Sequence, residues 1–372
     1  MSAFKPPVTL ERPMFPHTVD STILSTFRSC PQKAFRQYVE HWKPRSQSVH
    51  LVAGGAFASG VEAARMAFYS GIIEASEDPS NPQAEKALYS VATGNAELSQ
   101  ARGLRKLIEH YGDFQPPADS SKTLERMCGA LEFYFDMYPL GADGANPITL
   151  SSGRRGIEFS FAEPLSIPHP VTGDPILYTG RADMLAERAG GVYCYDEKTT
   201  TSLGQSWAKS WEMRSQFTGY QWAARKQGIK AVGSIVRGVS ILKTKYDTME
   251  ISTYRTQYEL DRWQFQVEQD LKRMIRLWEE GHWDYNLDGA CTEYGGCSFT
   301  PICKASDPDS ILPAYFEQKV WDPLARRELS VAEHEAAWNH TRVIPIVAAP
   351  VFNPDSATMQ DEFAGMMAQL KG

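Results

Sequence analysis

The sequence predicts a mixed α/β (α+β) fold that carries a helical insertion. Three segments after Pro147 are rich in β-branched and aromatic residues and are separated by turn signals, which is typical of consecutive strands. A helix and two more strand-like segments follow, and helical periodicity occupies the chain on both sides of this block. An order of helix, three strands, helix and two strands indicates an α+β or α/β core but says little about function.

Residues 1–72 are predicted to hold the N-terminal helices. Residues 22–40 carry apolar side chains at helical spacing, and Pro31 marks a turn or kink within that pattern. The pair Gly54-Gly55 is interpreted as the entry to a second helix, from Ala56 to Tyr69. This second helix is expected to be the first helix of the core.

The insertion and the core meet at residue 147. Residues 73–147 show helical patterns and no strand signal, which predicts a helical insertion. Residues 148–285 are predicted to form the core, in which the first three strands make an antiparallel meander. The predicted helices of the two regions are Ala96–Tyr111, Ser120–Tyr138, Trp207–Gln227 and Gln257–Glu280, and the predicted strands are Gly156–Ala162, Ile176–Arg188, Gly191–Lys198, Ser234–Leu242 and Thr248–Arg255.

The C-terminal part divides into a cysteine-containing loop at 286–305 and a tail at 306–372. The tail is predicted to be loop-like, with short helices. One helix is expected to begin at the capping box formed by Ser330 and Glu333, and another after Asp355.

Composition limits the classes of protein to consider. The chain has 372 residues, 42% of them hydrophobic, so it can bury a substantial core. A net charge of −7 neither supports nor excludes nucleic-acid binding, because a nucleic-acid-binding protein needs only a local basic groove. The longest apolar run, Val343–Phe352, contains two prolines and is far shorter than the ~20 residues of a membrane span. The start of the chain lacks a secretory pattern, so we expect a cytoplasmic protein with reduced thiols and no membrane partner.

Two predicted neighbouring strands carry a constellation of carboxylates and a lysine. Asp183 lies in the second strand of the meander, and Asp196-Glu197-Lys198 ends the third. Because strand side chains alternate, Asp196 and Lys198 share one face and Glu197 points to the other. If the two strands pair as a hairpin, Asp183 and Asp196 approach each other at one end of the sheet.

Converging carboxylates repel each other unless a cation joins them. Hard oxygen ligands suit Mg²⁺ or Mn²⁺, which can also take phosphate oxygens of a substrate as ligands. Lys198 would then orient an attacking water or stabilise developing negative charge. The structural alternative is a turn aspartate (Asp183) beside a surface cross-strand pair (Asp196 and Lys198). An unpaired carboxylate is costly after an apolar strand, which favours the site.

These residues resemble the Asp…(Asp/Glu)-x-Lys signature of the PD-(D/E)XK nucleases. The chain looks most like the RecB-type group, which includes the CRISPR adaptation nucleases and many phage exonucleases. That group carries Gln-x-x-x-Tyr on the next helix, and Gln216 and Tyr220 stand in that place here. The resemblance implies a restriction-endonuclease-like core with a mixed central sheet flanked by helices. It also implies that Gln216 and Tyr220 face the active site and contact DNA.

The resemblance further implies a biochemical role. We expect a Mg²⁺- or Mn²⁺-dependent deoxyribonuclease, an exonuclease or DNA-end processor in recombination or repair, and the phage exonucleases of the group make a phage one expected source. Asp183 and Asp196 would hold the metal, assisted by the backbone carbonyl of Glu197. The expected partners are DNA, as single strands or duplex ends, and recombination or replication proteins.

One departure from the group's pattern leaves an alternative open. The group often has Gly-x-x-x-His on the preceding helix, and Ala58 stands where the histidine is expected. Glu62, one turn later, is either a replacement metal ligand or a solvated helix residue. The second hypothesis is therefore a nucleic-acid-binding module that has lost catalysis and acts as a structural partner in a larger complex.

Four of the six cysteines form a candidate cofactor site. Cys291, Cys297 and Cys303 are spaced by five residues each in a loop with glycines and a proline, and Cys30 is the candidate fourth ligand. Iron–sulfur members of the group have a lone N-terminal Cys-Pro and three C-terminal cysteines, which implies a [4Fe–4S] cluster. Such a cluster would close a loop of roughly 260 residues and staple the C-terminal region to the N-terminal helix. Zn²⁺ is the alternative occupant, and four unrelated buried thiols are the structural alternative. The other two cysteines, Cys128 and Cys194, are interpreted as core residues.

Basic and aromatic residues near the predicted site are candidates for DNA contacts. Phosphate contacts and base stacking would suit a strand entering the site, whereas solvated helix faces and core tryptophans are the structural alternative. The candidates are Arg154, Arg155, Arg181, Lys198, Lys209, Arg214, Arg225, Lys243, Lys245, Trp207 and Trp211.

Overall fold

A computed structural model of the protein describes residues 13–70, 94–287, 289–292 and 296–321. The helices predicted after Ser330 and Asp355, and the apolar run 343–352, lie outside these residues. None of the helices in the described ranges combines the length and apolarity needed to cross a bilayer.

The described elements alternate between helices and strands along the chain. The α-helices are α1 (Ser21–Ser29), α2 (Pro31–Ala34), α3 (Val49–Arg65), α4 (Ala96–Tyr111), α5 (Leu124–Met137), α6 (Gln205–Glu212), α7 (Ser215–Lys226), α8 (Gln257–Glu280), α9 (Thr300–Lys304) and α10 (Pro308–Tyr315). The strands are β1 (Thr18–Val19), β2 (Trp42–Pro44), β3 (Asn146–Pro147), β4 (Ile157–Pro168), β5 (Pro175–Arg188), β6 (Gly191–Thr200), β7 (Ala231–Ile241), β8 (Tyr246–Tyr254) and β9 (Phe316–Gln318). Short π-helical turns extend α2 and α3, over Phe35–Val39 and Met66–Ser70.

A seven-stranded mixed sheet forms the centre, with the order β1-β5-β6-β7-β8 and with β3 and β4 also paired to β5. The antiparallel pairs β4–β5 and β5–β6 confirm the predicted meander. β6 and β7 are parallel, because α6 and α7 form the crossover between them, and β7 and β8 make an antiparallel hairpin. The predicted mixed fold class, with a mixed sheet between helices, is confirmed.

Helices cover both faces of the sheet. On one face α1, α7 and α8 enclose a core that includes Phe217, Trp222, Trp263 and Val267. On the other face α3 packs with α4 and α5, the helices of the predicted insertion. The bounds of α4 and α8 match the sequence prediction, because their apolar periodicity ends at cap residues that the structure uses.

The start of α3 differs from the prediction. The helix begins at Val49, and Gly54-Gly55 lies inside it rather than at its entry. The reason is close helix packing: a Cβ at Gly55 would lie 2.7 Å from Nε2 of His110 in α4. Similarly, a Cβ at Gly103 would lie 2.6 Å from the carbonyl oxygen of Gly60. These glycines let two backbones approach, a role that a turn-based interpretation misses.

The predicted single helix Trp207–Gln227 was wrong, because α6 ends at Glu212 and α7 begins at Ser215. Arg214, between them, has an extended backbone. The guanidinium of Arg255 donates to the carbonyl of Glu212 at 2.6 Å and to the hydroxyl of Thr218 at 2.9 Å. A side chain from the end of β8 thus stabilises the break, and local sequence carries no sign of it.

The described part of the tail contains a strand that was not predicted. The tail was expected to be loop-like with short helices, and the short helix α10 is followed by β9, which pairs antiparallel with β2. Four buried residues, Phe299, Ile302, Leu312 and Phe316, form a small apolar cluster against Trp42. Protein contacts alone therefore join the N-terminal and C-terminal segments beside the cysteines.

A buried ionic network fixes β6 to the insertion side of the sheet. Arg65, in the last turn of α3, donates to Glu197 of β6 through Nη1 at 3.0 Å, and the Tyr134 hydroxyl donates to the same carboxylate at 2.9 Å. Arg237 of β7 pairs with Asp143 at 2.8 Å. Burial alone would raise the pKa of Glu197, but the charge and hydrogen bonds of Arg65, together with the charge of Arg237, outweigh it and lower the pKa to about 2.

We expect Arg65→Met to lower the free energy of unfolding by about 3–5 kcal/mol, because it leaves the Glu197 carboxylate buried without its main partner. Urea unfolding measures this change. The control Arg105→Met breaks an exposed i,i+4 pair with Glu109 and should cost under about 0.5 kcal/mol. Equal effects of the two substitutions would contradict this account.

The same network predicts a pH dependence of stability. The pKa of Glu197 is lower in the folded chain than its ordinary value of about 4.3. Its contribution to stability is therefore fully present above that value and is lost as the pH falls toward 2. Arg65→Met should flatten this acid limb in the unfolding free energy, and an unchanged limb would argue against the network.

Candidate active site

The site lies at a fork where β6 separates from β5. β5 pairs with β1 at Leu177 and Tyr178 and with β6 from Met184 onward, so Asp183 lies between the two pairings. The last paired residues are Met184 and Tyr195, and one further step of this register places Asp183 opposite Asp196. The structure thus brings the two predicted carboxylates together.

Hydrogen bonds and an ion pair hold the constellation. Oδ2 of Asp183 accepts a hydrogen bond from the backbone N–H of Glu197 at 2.8 Å. Lys198, two residues beyond Asp196 on the same face of β6, forms an ion pair with the Asp196 carboxylate. Only 1% of Asp196 is exposed. The three side chains therefore share one largely buried site.

The electrostatics of the fork leave it short of positive charge. Burial raises the pKa of Asp183 well above its ordinary range, and the negative charges of Asp196 and Glu197 raise it further, against the opposing effect of Lys198. Burial also raises the pKa of Asp196, although Lys198 counteracts it. Burial would lower the pKa of Lys198, but the two aspartates outweigh it, so the ammonium stays charged. Two crowded carboxylates with one lysine fit an added cation.

Gln216 and Tyr220 face this site from α7. Nε2 of Gln216 lies 3.3 Å from Oδ1 of Asp196 and 2.6 Å from the hydroxyl of Tyr220. Tyr220 is buried and also hydrogen-bonds Asp196. Burial, followed by the charges of Asp196 and Asp183, raises the pKa of Tyr220 well above its ordinary value. In the described residues this pair therefore orients Asp196.

The other two predicted metal ligands are placed differently. The Glu197 side chain lies on the opposite face of β6, where Arg65 and Tyr134 bind it, so its backbone carbonyl is the group left for a metal. Glu62 lies in α3, one turn before the end of the helix, and is partly buried. Its role as a metal ligand, in place of the histidine that Ala58 replaces, stays a prediction.

The predicted DNA-contact residues divide into two sets. Several belong to the fold: Arg181 pairs with Glu158 at 2.7 Å, Arg225 bonds the carbonyl of Ala231, and Trp207 packs over Gly238. A second set has exposed side chains, namely Lys209, Arg214, Lys243 and Lys245. Arg155 bonds the hydroxyl of Thr149.

Cys30, Cys291, Cys297 and Cys303 line one cavity, together with side chains that include Arg36 and Tyr285. Burial raises the pKa of Cys303, and the three other thiols raise it further, which reflects how close the four lie. Among the residues that the structure describes, no three histidine, cysteine or acidic side chains are close enough to hold a single metal ion. Cys194 is fully buried and Cys128 partly buried, both against apolar clusters, as predicted.

Sequence reasoning missed Arg65, Arg237 and Lys122, three buried cations around the end of β6. Arg65 and Arg237 bind carboxylates more than 90 residues away in sequence. Lys122 donates to Thr199 at 3.1 Å. A basic residue inside an apolar helix or strand was the only local signal for the two arginines, and the loop residue Lys122 gave none.

We expect Asp183→Asn to stabilise the metal-free chain by about 1 kcal/mol at neutral pH, because it removes a carboxylate that repels Asp196 and keeps an oxygen to accept from Glu197. Thermal unfolding in EDTA measures it. Since the pKa of Asp183 is raised in the folded chain, the wild type regains stability as the pH falls through that pKa, and the difference should shrink. A destabilised variant at neutral pH would contradict the repulsion.

Comparison with known proteins bears on the family of the chain. No curated protein matches it. Among solved structures, the chain is similar to a "Putative exonuclease" from Eubacterium rectale, with a TM-score of 0.42, 13% identity, and coverage of 73% of this chain and 85% of that one. It is also similar to the protein SSO0001, with a TM-score of 0.26, 15% identity, and coverage of 48% and 68%.

The family comparison covers most of the chain. The model of the PD-(D/E)XK nuclease superfamily matches residues 21–304, which is 284 (304 − 21 + 1) of the 372 residues. The matched range contains the β5–β6 fork, Gln216 and Tyr220 on α7, and all four cavity cysteines. The chain belongs to the PD-(D/E)XK nuclease superfamily.

Proposed function

We propose that this chain is a divalent-metal-dependent deoxyribonuclease whose active site is the fork of Asp183, Asp196 and Lys198. The observation that carries the proposal is the buried convergence of two carboxylates from adjoining strands with a charged lysine on the same face. Membership of a nuclease superfamily agrees with it. The reaction is hydrolysis of a phosphodiester bond.

The donor set suits Mg²⁺ or Mn²⁺. Asp183 and Asp196 supply hard carboxylate oxygens, and the Glu197 carbonyl is a third candidate ligand, with Glu62 as a further one. Such an ion, when bound, activates water and offsets negative charge on the phosphate. Burial raises the pKa of both aspartates, and the charge of Asp196 raises that of Asp183 further, while Lys198 opposes these shifts only in part; this supports a cation at the fork.

The chain's own residues have distinct tasks. Lys198, held beside Asp196, donates a hydrogen bond to the attacking water or to the phosphate oxygen on which charge develops. Gln216 and Tyr220 hold Asp196 in place and lie where the resemblance to the RecB-type group puts DNA contacts. Hydrolysis joins the water oxygen to phosphorus and breaks the bond to the leaving sugar oxygen.

We propose DNA, as single strands or duplex ends, as the substrate, and an exonuclease or end-processing role in recombination or repair. The proposal rests on the motif order of Asp183, Asp196-Glu197-Lys198 and Gln216…Tyr220, which resembles the RecB-type group with its phage exonucleases. Recombination or replication proteins are the proposed partners.

We expect Asp196→Asn and Lys198→Ala each to reduce the cleavage rate by about 10²-fold or more, because they remove a metal ligand and the charge that stabilises the developing negative charge. The assay follows end-labelled single- and double-stranded DNA with Mg²⁺ or Mn²⁺. Lys106→Ala, at a lysine paired with Glu109 on α4, is the matched control and should cleave normally.

Two outcomes would overturn the assignment. Wild-type rates in both active-site variants would exclude the fork as the catalytic site. DNA binding by the wild type without cleavage under any metal condition would favour the second hypothesis, a binding module that has lost catalysis, for which the alanine at position 58 is the motivating observation.

We also propose that Cys30, Cys291, Cys297 and Cys303 hold a [4Fe–4S] cluster with a structural role. The four thiols surround one cavity, and their number matches the four cysteine ligands of such a cluster, with Zn²⁺ as the alternative occupant. The segment 286–305 would be the cluster-binding loop, between the nuclease core at 148–285 and the tail. A cluster here would reinforce contacts that already hold α1 against the core, such as the 2.7 Å pair of Arg28 in α1 and Asp270 in α8.

Anaerobically purified protein should contain about four iron and four sulfide ions per chain and absorb visible light, since this is the [4Fe–4S] stoichiometry. Cys303→Ser should lose iron, whereas Cys128→Ser, away from the cavity, should keep it. If the protein instead contains one zinc per chain and no sulfide, the four cysteines bind Zn²⁺ and the proposed cluster is refuted.

A further inference from the structure

Lys122 is a buried lysine next to the active-site strand. It lies in the loop between α4 and α5, and only 2% of it is exposed. Its ammonium donates to the Thr199 hydroxyl at 3.1 Å. Thr199 follows Lys198 directly in β6, so Lys122 approaches the end of this strand from the face opposite to Lys198.

The Lys122 ammonium has no carboxylate within ion-pair distance among the residues that the structure describes. Burial lowers its pKa. The other buried cations on this side of the sheet, Arg65 and Arg237, are each paired with carboxylates. Burying an ammonium without a counter-charge costs free energy. A bound anion would offset this cost, and the proposed function would bring an anion close to Lys122.

The loop is built to hold this lysine in place. The Tyr111 hydroxyl donates to the Lys122 carbonyl at 2.8 Å, and the Lys122 N–H donates to Ser120 at 3.1 Å. The Ser121 hydroxyl donates at 2.7 Å to the carbonyl of Ile241, at the end of β7. These bonds tie the loop to the carboxyl edge of the parallel strands β6 and β7.

The surroundings of Lys122 suit an anion. His50, in the first turn of α3, is largely exposed. Partial burial of its ring and then the charge of Lys122 lower its pKa, which reflects the positive potential near Lys122. Ser48, the residue before α3, makes no side-chain cap, so the first N–H groups and the dipole of the helix favour negative charge. Gly54 brings α3 against Thr199, where an added Cβ would lie 3.8 Å from the hydroxyl oxygen.

We propose that Lys122, with His50 and the first turn of α3, binds a backbone phosphate that flanks the cleaved bond of the DNA. This inference rests on the proposed nuclease function and adds a second phosphate site on the insertion side of β6. Thr199 lies three residues beyond Asp196, about 10 Å along the strand, which is within the span of a bound DNA strand. The exposed Lys243 and Lys245 continue the same basic edge after β7.

The test measures DNA binding by the full chain in EDTA, where cleavage is not required. Anisotropy of a labelled single strand is followed against NaCl for wild type and Lys122→Gln. Glutamine keeps a hydrogen-bond donor for Thr199 but removes the charge. We expect about 3- to 10-fold weaker binding and a salt slope lower by about 1, the value for one lost phosphate contact. Lys106→Gln is the control and should match the wild type.

Lys122→Met separates binding from folding. It removes a buried unpaired charge and should unfold at the wild-type temperature or above it, while binding DNA as weakly as Lys122→Gln. Wild-type affinity and salt slope in both variants would overturn the phosphate site and leave the nuclease assignment intact. Failure of the wild type to bind or cleave any DNA would instead refute the proposed function, and this inference with it.

Discussion

Two carboxylates that repel each other, Asp183 and Asp196, share the fork between β5 and β6. The properties of the site depend on this repulsion. Their closeness follows from the register of two antiparallel strands and from the point at which β6 leaves β5 to continue beside β7. Burial makes the repulsion costly, and Lys198 offsets only part of it. Contacts elsewhere in the fold offset the free-energy cost of holding these two carboxylates together, which is typical of a catalytic site.

β6 separates two electrostatic tasks by its alternation. On one face, Glu197 is fully neutralised by Arg65 and held by Tyr134, so this part of the strand is anchored. On the other face, Asp196 and Lys198 are left with an incomplete charge balance that a bound cation and a phosphate could complete. Glu197 thus stabilises the strand, while its neighbours Asp196 and Lys198 are available for the proposed metal binding and catalysis, and the two sets do not compete for partners.

The sequence predicts this side of the molecule well because the relevant patterns are local. Strand alternation placed Asp196 and Lys198 together, the turn signals predicted the meander, and cap residues marked both ends of α8. It failed where distant residues decide the outcome. Arg255 breaks the α6–α7 segment, Gly55 serves the approach of His110, and Arg65 finds Glu197 across 132 residues. Such partners are fixed by tertiary packing, which leaves no periodic trace in a single sequence.

Mn²⁺ binding to the fork in the absence of DNA tests whether Asp183 and Asp196 form a metal site. Titration of the wild type, followed by calorimetry or by the paramagnetic signal of free Mn²⁺, should show an ion bound per chain that is lost in the Asp183→Asn variant. The Cys303→Ser variant should bind Mn²⁺ as the wild type does, since thiols are not the ligands involved. Mn²⁺ binding that is unchanged by Asp183→Asn would contradict the claim that these two carboxylates form a metal site.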